Sequence, residues 1–280
     1  MRLIWNRYGK SRVRLVKLRR AREPYDLVDL TIDVQLEGAF DGVYVEGDNR
    51  SCLPTETMKN TVYALARQES IEHVEAFALR LADHFAEKTE VRRVRIVAFE
   101  SPWLSLAIDG RMHPRAFHQI GGERWTTEVV REGAMPRITS GLTTLLVLKS
   151  ADSGFSGFLR DKYTTLDETD DRILATSITA TWRYRAGTTD FGARERIRQA
   201  ILTAFADHVS RSLQHTAYAM AEAALAACDD AIEVTLTLPN RHHLLVNLEP
   251  FGLDNPNDVF VATDEPYGLI EATVTRTLKE

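Results

Sequence analysis

Three stretches of this chain set polar, chemistry-bearing side chains where packing alone does not require them. In LPNRHHLLVNL, residues 238–248, His242 and His243 stand side by side in a strand-like pattern. Successive side chains on a strand face opposite ways, so the two imidazoles cannot easily converge on one ion. Alternation groups His242 with Asn240, Leu244, Val246 and Leu248, and His243 with Arg241 and Asn247. An apolar row therefore ends in an Asn–His pair. The second stretch, KSADSGFSGFLRDKYTTLDETDDR at 149–172, is a polar connection too long for an ordinary turn. Loops of this length are usually functional or disordered, and Phe155, Phe158 and Tyr163 argue that this one packs. The third, YGKSRVR, puts Lys10 after a glycine just before the first strand.

Taken singly, these residues have plain readings. Lys10 is a solvated charge at a strand end, Thr55 a helix cap and Gln214 an exposed residue in a first helical turn. Arg172, at the start of a strand, is a surface ion-pair partner worth little. Phosphate-binding glycine loops, the H-E-x-x-H zinc motif and the hydrolase nucleophile elbow are all missing from the sequence. The eight histidines (73, 84, 113, 118, 208, 215, 242 and 243) show no ligand spacing, so no metal is expected. The two cysteines, Cys52 and Cys228, exclude a disulfide framework and a cysteine-rich zinc site and fit a reducing compartment.

The 280 residues suffice for one large domain or two ordinary ones, and 44% hydrophobic with 27% charged residues is a soluble globular composition. A net charge of −5 leaves no overall footprint for nucleic acid or an acidic membrane. No apolar run approaches the roughly 20 residues that a membrane helix needs. The basic first 22 residues could be taken for a transit peptide, but SRVRLVKL mixes its charges with apolar residues as a strand does. The C-terminal RTLKE is not a peroxisomal signal, so a bacterial-type cytoplasmic protein is expected.

The elements that must position these residues follow from periodicity. Strands are expected at 11–20 and 25–37 around the AREPYD turn, then an acidic, glycine-containing loop over 38–49. Helices follow from Thr55 and from the N-cap Ser70, the latter with the stripe Ile71, Val74, Phe77, Ala78, Leu81 and Phe85. Strands at 91–99 and 103–109, a loop over 110–123, and strands at 124–131 and 138–149 come next. After the long connection there is a strand over 172–185 and helices near 190–209 and 211–227. Strands at 231–238, 241–248, 257–263 and 269–278 finish the chain. The order strand–strand–helix–helix–strand–strand thus occurs twice, with a period near 140 residues. Each half should form an antiparallel sheet with a helix pair on one face, giving modules at 1–137 and 138–280. Four strands cannot close a barrel, so the sheet edges need other subunits to cover them.

Read together, YGKSRVR, GDNRSCLPTETMKNTVYALAR, VLKSADSGFSGFLRDKYTTLDETDDRILAT, LQHTAYAMAE, LPNRHHLLVNL and NPNDVFVATDEPYGLIEATVTR resemble the urate oxidase (uricase) family. These blocks span most of the chain in the family's order, and residues from about 100 to 135 resemble it least. The resemblance implies an α+β protein of two tandem ββααββ tunnelling-fold modules, joined into a homotetramer around a tunnel. It implies active sites shared between subunits, and oxidation of urate by O2 and water to 5-hydroxyisourate and hydrogen peroxide without a cofactor.

Carried over residue by residue, Phe155 would stack on the flat purine, and Arg172 and Gln214 would grip its polar edge with help from a backbone N–H of Leu213. A guanidinium suits this because its planar fork donates parallel bonds to an anion. Thr55 and Lys10 would form a proton relay supported by His242, and Asn240 would hold dioxygen or water above the ring. Thr55 would also touch the substrate, together with the backbone of the next residue; the family usually has Asp there, and here it is Glu56, with Pro54 before Thr55. A zinc-dependent pterin or GTP enzyme of the same fold would need a Cys/His cluster that the sequence lacks. A non-catalytic relative would be expected to have lost Lys10, Thr55 or His242.

Overall fold

The computed structural model describes residues 1–21, 23–119 and 121–276. The last two positions of the strand expected over 269–278 and the end of RTLKE lie outside the described residues. So do Arg22 of the expected turn and Ile120 of the expected loop. Two compact units are formed, residues 1–142 with 182–192, and residues 143–181 with 193–280.

In the first unit, strands β1 (Tyr8–Arg19), β2 (Asp26–Gly38), β3 (Val91–Glu100) and β6 (Arg124–Glu132) form an antiparallel sheet in the order β1-β2-β3-β6. The strict alternation read in β2 buries Leu30, Ile32, Val34 and Leu36 completely. Helices α2 (Thr55–Gln68) and α3 (Val74–Ala86) supply the other side of this core through Met58, Val62, Phe77, Leu81 and Phe85. A short α1 (Asp41–Val45) interrupts the expected loop over 38–49.

The expected loop over 110–123 contains a strand instead. β4 (Leu104–Ile108) and β5 (Arg111–His118) form a separate hairpin, with Ile108 opposite Arg111. Asp109 and Gly110 both have positive φ, 49° and 74°, the geometry of a two-residue Asp-Gly turn. The Asp-Gly signal was present in the sequence; the nearby Pro114 and glycines masked the strand that follows it.

The second unit contains β7 (Arg137–Lys149), β8 (Leu174–Tyr184), α4 (Arg194–Asp207), α5 (Leu213–Ala226), β9 (Ala231–Leu245) and β10 (Phe260–Thr275), with β7 and β8 also lending residues to the first unit. Its strand order is β7-β8-β9-β10. The helical stripes fall where periodicity put them, with Ile197, Ile201 and Phe205 buried on α4 and Leu213, Ala217, Met220 and Ala224 on α5. Where four short strands were expected there are two long ones. Pro239 does not break β9, because β10 pairs across it from Leu269. With the β4–β5 hairpin and the short helical turns between β2 and α2 set aside as insertions, the element order is ββααββ twice.

Two caps differ from expectation. The residue before α3 is His73, not Ser70, and its side chain makes no capping bond. Pro54 precedes α2, so Thr55 is the first helical residue and its hydroxyl is not spent on capping. Among the described residues, no helix is long and apolar enough to cross a membrane.

Candidate active site

The 149–172 connection is ordered by backbone pairing. Phe155 and Thr169 exchange N–H···O bonds of 2.7 and 3.1 Å, closing the loop on itself. A parallel bridge between Ser153 and Ser210 ties it to the segment entering α5, with Gly154 N–H donating to the Ser210 carbonyl at 2.8 Å. Gly154 suits this close approach, since a Cβ would come within 3.1 Å of the carbonyl oxygens of Thr169 and Asp170. The loop thus presents Phe155, stacked on Phe158 at 4.9 Å between ring centres, and then places Arg172 two residues before β8, which begins at Leu174 rather than at 172.

Arg172 lies with its guanidinium carbon 5.2 Å from the Phe155 ring centre. A cation over an aromatic face gains about 0.5–2 kcal/mol, depending on how far water is excluded. Burial pushes this guanidinium below its usual pKa, and its Nε is buried with no hydrogen-bond partner among the described residues. An orphaned cationic donor beside a flat apolar ring is a site built for a flat, anionic or strongly accepting ligand.

Helix α5 brings up the next group. Ser212 caps it, accepting the His215 N–H at 3.1 Å, and Thr216 Oγ1 donates to Ser210 Oγ at 2.7 Å. The Leu213 side chain is 2% exposed, so Gln214 beside it is turned outward from the core. The first-turn N–H groups of a helix carry partial positive charge and favour an acceptor.

Strand β9 completes the wall with Asn240 and His242. Asn240 faces Gly268 on β10 and His242 faces Thr263, the register shifting between those two β10 positions. The resulting cavity, about 370 Å³, is lined by Phe155, Arg172, Leu213, Gln214, Asn240 and His242, together with Leu166, Asp167, Thr169, Ile173, Arg241, His243, Leu244 and Ile270. Six of the nine residues singled out for a site therefore meet in one place. His243 also reaches the wall, which strict alternation did not anticipate; the register shift opposite Arg241 is the local irregularity. Its Nδ1 lies 3.3 Å from the Arg241 carbonyl oxygen. The apolar row beyond His242 is not core, for Leu244 and Leu245 are each about half exposed.

The sequence reading missed Leu166, Thr169 and Ile270 as wall residues. Thr169 sits in the 149–172 loop, but only its cross-loop pairing with Phe155 marks it.

Lys10, Thr55 and Glu56 belong to the first unit and are not among those lining residues. They form a cluster of their own. Tyr8 and Lys10, two apart on β1, both face α2. The Tyr8 hydroxyl accepts the Leu53 N–H at 2.9 Å, and burial pushes its phenol up to about 12, so it stays neutral. Glu56 is held below the usual carboxylate range, first by its hydrogen bond from Lys59 and further by the charge of Lys10. Its side chain is thus turned to its own helix. Among the described residues no group of three or more His, Cys, Asp or Glu could hold a metal.

A sequence model of the family described as uricase matches residues 6–130 and 138–271. The chain belongs to the uricase family. Each matched segment holds one ββααββ module. The uricase of Arthrobacter globiformis is 44% identical over 273 residues, covering 97% of this chain and 89% of that protein. The uricase of Dictyostelium discoideum is 35% identical over 280 residues, covering 98% of both chains. The crystal structure of Arthrobacter globiformis uricase superposes with a TM-score of 0.93 at 43% identity, covering 100% of this chain and 96% of that one. Urate oxidase from Bacillus sp. TB-90, at 23% identity and a TM-score of 0.83, shares the fold.

Proposed function

We propose that this protein is a urate oxidase, converting urate, O2 and water to 5-hydroxyisourate and hydrogen peroxide without a metal or organic cofactor. The observation that carries the reading is the pairing of Phe155 with Arg172, an aromatic face under a guanidinium whose buried Nε has no partner. Urate is flat, anionic and rich in acceptors along one edge. Phe155 stacks on it, Arg172 and Gln214 hold that edge, and the Leu213 N–H at the α5 terminus adds a third donor. Family membership supports the same assignment.

The chemistry follows from the electronics of the substrate. Triplet O2 reacts slowly with closed-shell molecules unless a strong electron donor is present, and a urate dianion is one. The protein has to remove a proton, stabilise the negative charge and place O2 over the ring. Lys10 and Thr55 take the proton, with His242 supporting the relay, and Asn240 holds O2 and then water. Two electrons pass from urate to O2, giving a C5 hydroperoxide that leaves as hydrogen peroxide. Water then adds at C5.

Because Lys10, Thr55 and Glu56 lie in the first unit and the cavity in the second, we assign the complete site to two subunits of a homotetramer. Each subunit contributes the first module, 1–137, to one site and the second, 138–280, to another. Cytoplasmic localisation fits the same reading.

The direct test is loss of urate absorbance with release of peroxide in aerated buffer after chelator treatment. No loss ends the proposal, and dependence on added metal ends its cofactor-free part. Sharing is tested by co-expressing Lys10→Met and Arg172→Ala chains. Random assembly should give roughly a quarter of the sites both intact halves and recover activity that neither variant shows alone. No recovery in mixed tetramers would place both halves in one chain.

A further inference from the structure

We infer that Asp33 is a positioning residue for Lys10, acting through a one-residue bulge in β1; this rests on the assignment of Lys10 above. The argument is one of parity. Val13 and Leu15 are buried, opposite Ile32 and Leu30 on β2. Counting back from Val13 in steps of two reaches Ser11 and Gly9, so an unbroken strand would turn Lys10 to the far face with Arg12 and Arg14. The pairing is not unbroken. Lys10 faces Val34 and Val13 faces Ile32, so β1 spends three steps where β2 spends two. The extra residue reverses the parity and turns Tyr8 and Lys10 toward α2, where Tyr8 binds the Leu53 N–H and Lys10 acts on Glu56.

Asp33, between Ile32 and Val34, lies opposite the extra residue. Arg12 has a φ of 57°, a left-handed conformation that a non-glycine residue holds only when something fixes it. Its N–H leaves the strand ladder and donates to Asp33 Oδ1 at 2.5 Å. Hydrogen bonding to a carboxylate is stronger than to a neutral acceptor, so the side chain replaces the lost ladder bond. On the other side of Lys10, a Cβ at Gly9 would meet the Val34 carbonyl oxygen at 1.9 Å, so only glycine permits the approach. Lys10 is therefore fixed between a glycine contact and a carboxylate-held bulge, and the Asp33 carboxylate accounts for the left-handed arginine.

The test compares kcat, KM and the kcat–pH profile across a small set. Asp33→Ala should lower kcat about tenfold or more, with KM for urate within about twofold, and should remove the same limb of the pH profile as Lys10→Met. Asp33→Asn keeps an acceptor oxygen and should recover most of the turnover. Arg14→Ala, past the bulge on the same strand, should leave kcat unchanged. The double variant Lys10→Met/Asp33→Ala should be no slower than Lys10→Met alone. Full turnover in Asp33→Ala while Lys10→Met is impaired overturns the inference and leaves the Lys10 assignment standing. Full turnover in Lys10→Met removes the assignment, and the inference with it. If Asp33→Ala does not fold, Asp33→Val, a residue suited to a strand, removes the same acceptor; full turnover there is equally fatal.

Discussion

Arg172 in the second unit and Glu56 in the first show two ways of handling a charge. Arg172 lies partly buried over Phe155 with a donor left unanswered, whereas Glu56 is exposed and answered by Lys59 on its own helix. The second unit builds the wall of one cavity from five segments: a pinned loop, the residues leading into β8, the α5 terminus, β9 and β10. The first unit builds no such wall; it offers Lys10 and Thr55 on a face set by backbone geometry. An unsatisfied buried donor is costly unless a ligand completes it, which is why Arg172 carries the proposed grip on substrate. Lys10 is half-buried, and its value depends on where it points.

That division orders the expected effects. Lys10→Met should cut kcat by about 10²–10⁴, the range for a general acid or base, while binding of a urate analogue survives. If analogue binding falls with it, the first unit also grips substrate and the division is blurred. Arg172→Ala should weaken urate or analogue binding by about 1.5–3 kcal/mol, roughly ten- to a hundredfold, as titration calorimetry would read it. Arg172→Lys should recover only part, since a lysine lacks the planar fork.

A smaller and more local contrast concerns the adjacent histidines. His242→Ala should slow turnover roughly tenfold or more, and His243→Ala by less than about twofold. Both line the cavity, so equal losses in steady-state turnover would mean that His243 shares the chemistry. The smallest effect concerns stability. His208 is held below the usual 6.5 by burial first, then by His215 and Lys149, and its ring lies 4.3 Å from that of His215. The unfolded chain therefore takes up a proton that the folded one resists. Stability from neutral His208 is present above pH 6.5 and is lost as pH falls below it toward the folded pKa. Melting curves of His208→Gln should show a flatter pH dependence just below pH 6.5 than those of the parent.

Much of this was legible in the residues. The two ββααββ passes and the buried faces of α4 and α5 follow from periodicity, whereas the grouping of Phe155, Arg172, Leu213, Gln214, Asn240 and His242 comes from the resemblance to the uricase family. The misreadings share a cause. The Asp109–Gly110 hairpin, the unbroken β9 across Pro239 and the His73 start of α3 depend on what lies across from them. A local pattern carries that information weakly.

LPNRHHLLVNL shows the limit from the site's side. Alternation alone set His242 apart from His243, yet the register shift on β10 lets both reach the cavity wall, and Leu244 proves half exposed. By itself the sequence determined which side chains exist, their period and hence which elements form, because burial of apolar faces fixes those choices. Only the tertiary structure decided which way Lys10 faces. Parity along a strand holds until one residue is inserted, and whether Arg12 is that residue depends on Asp33 across the sheet.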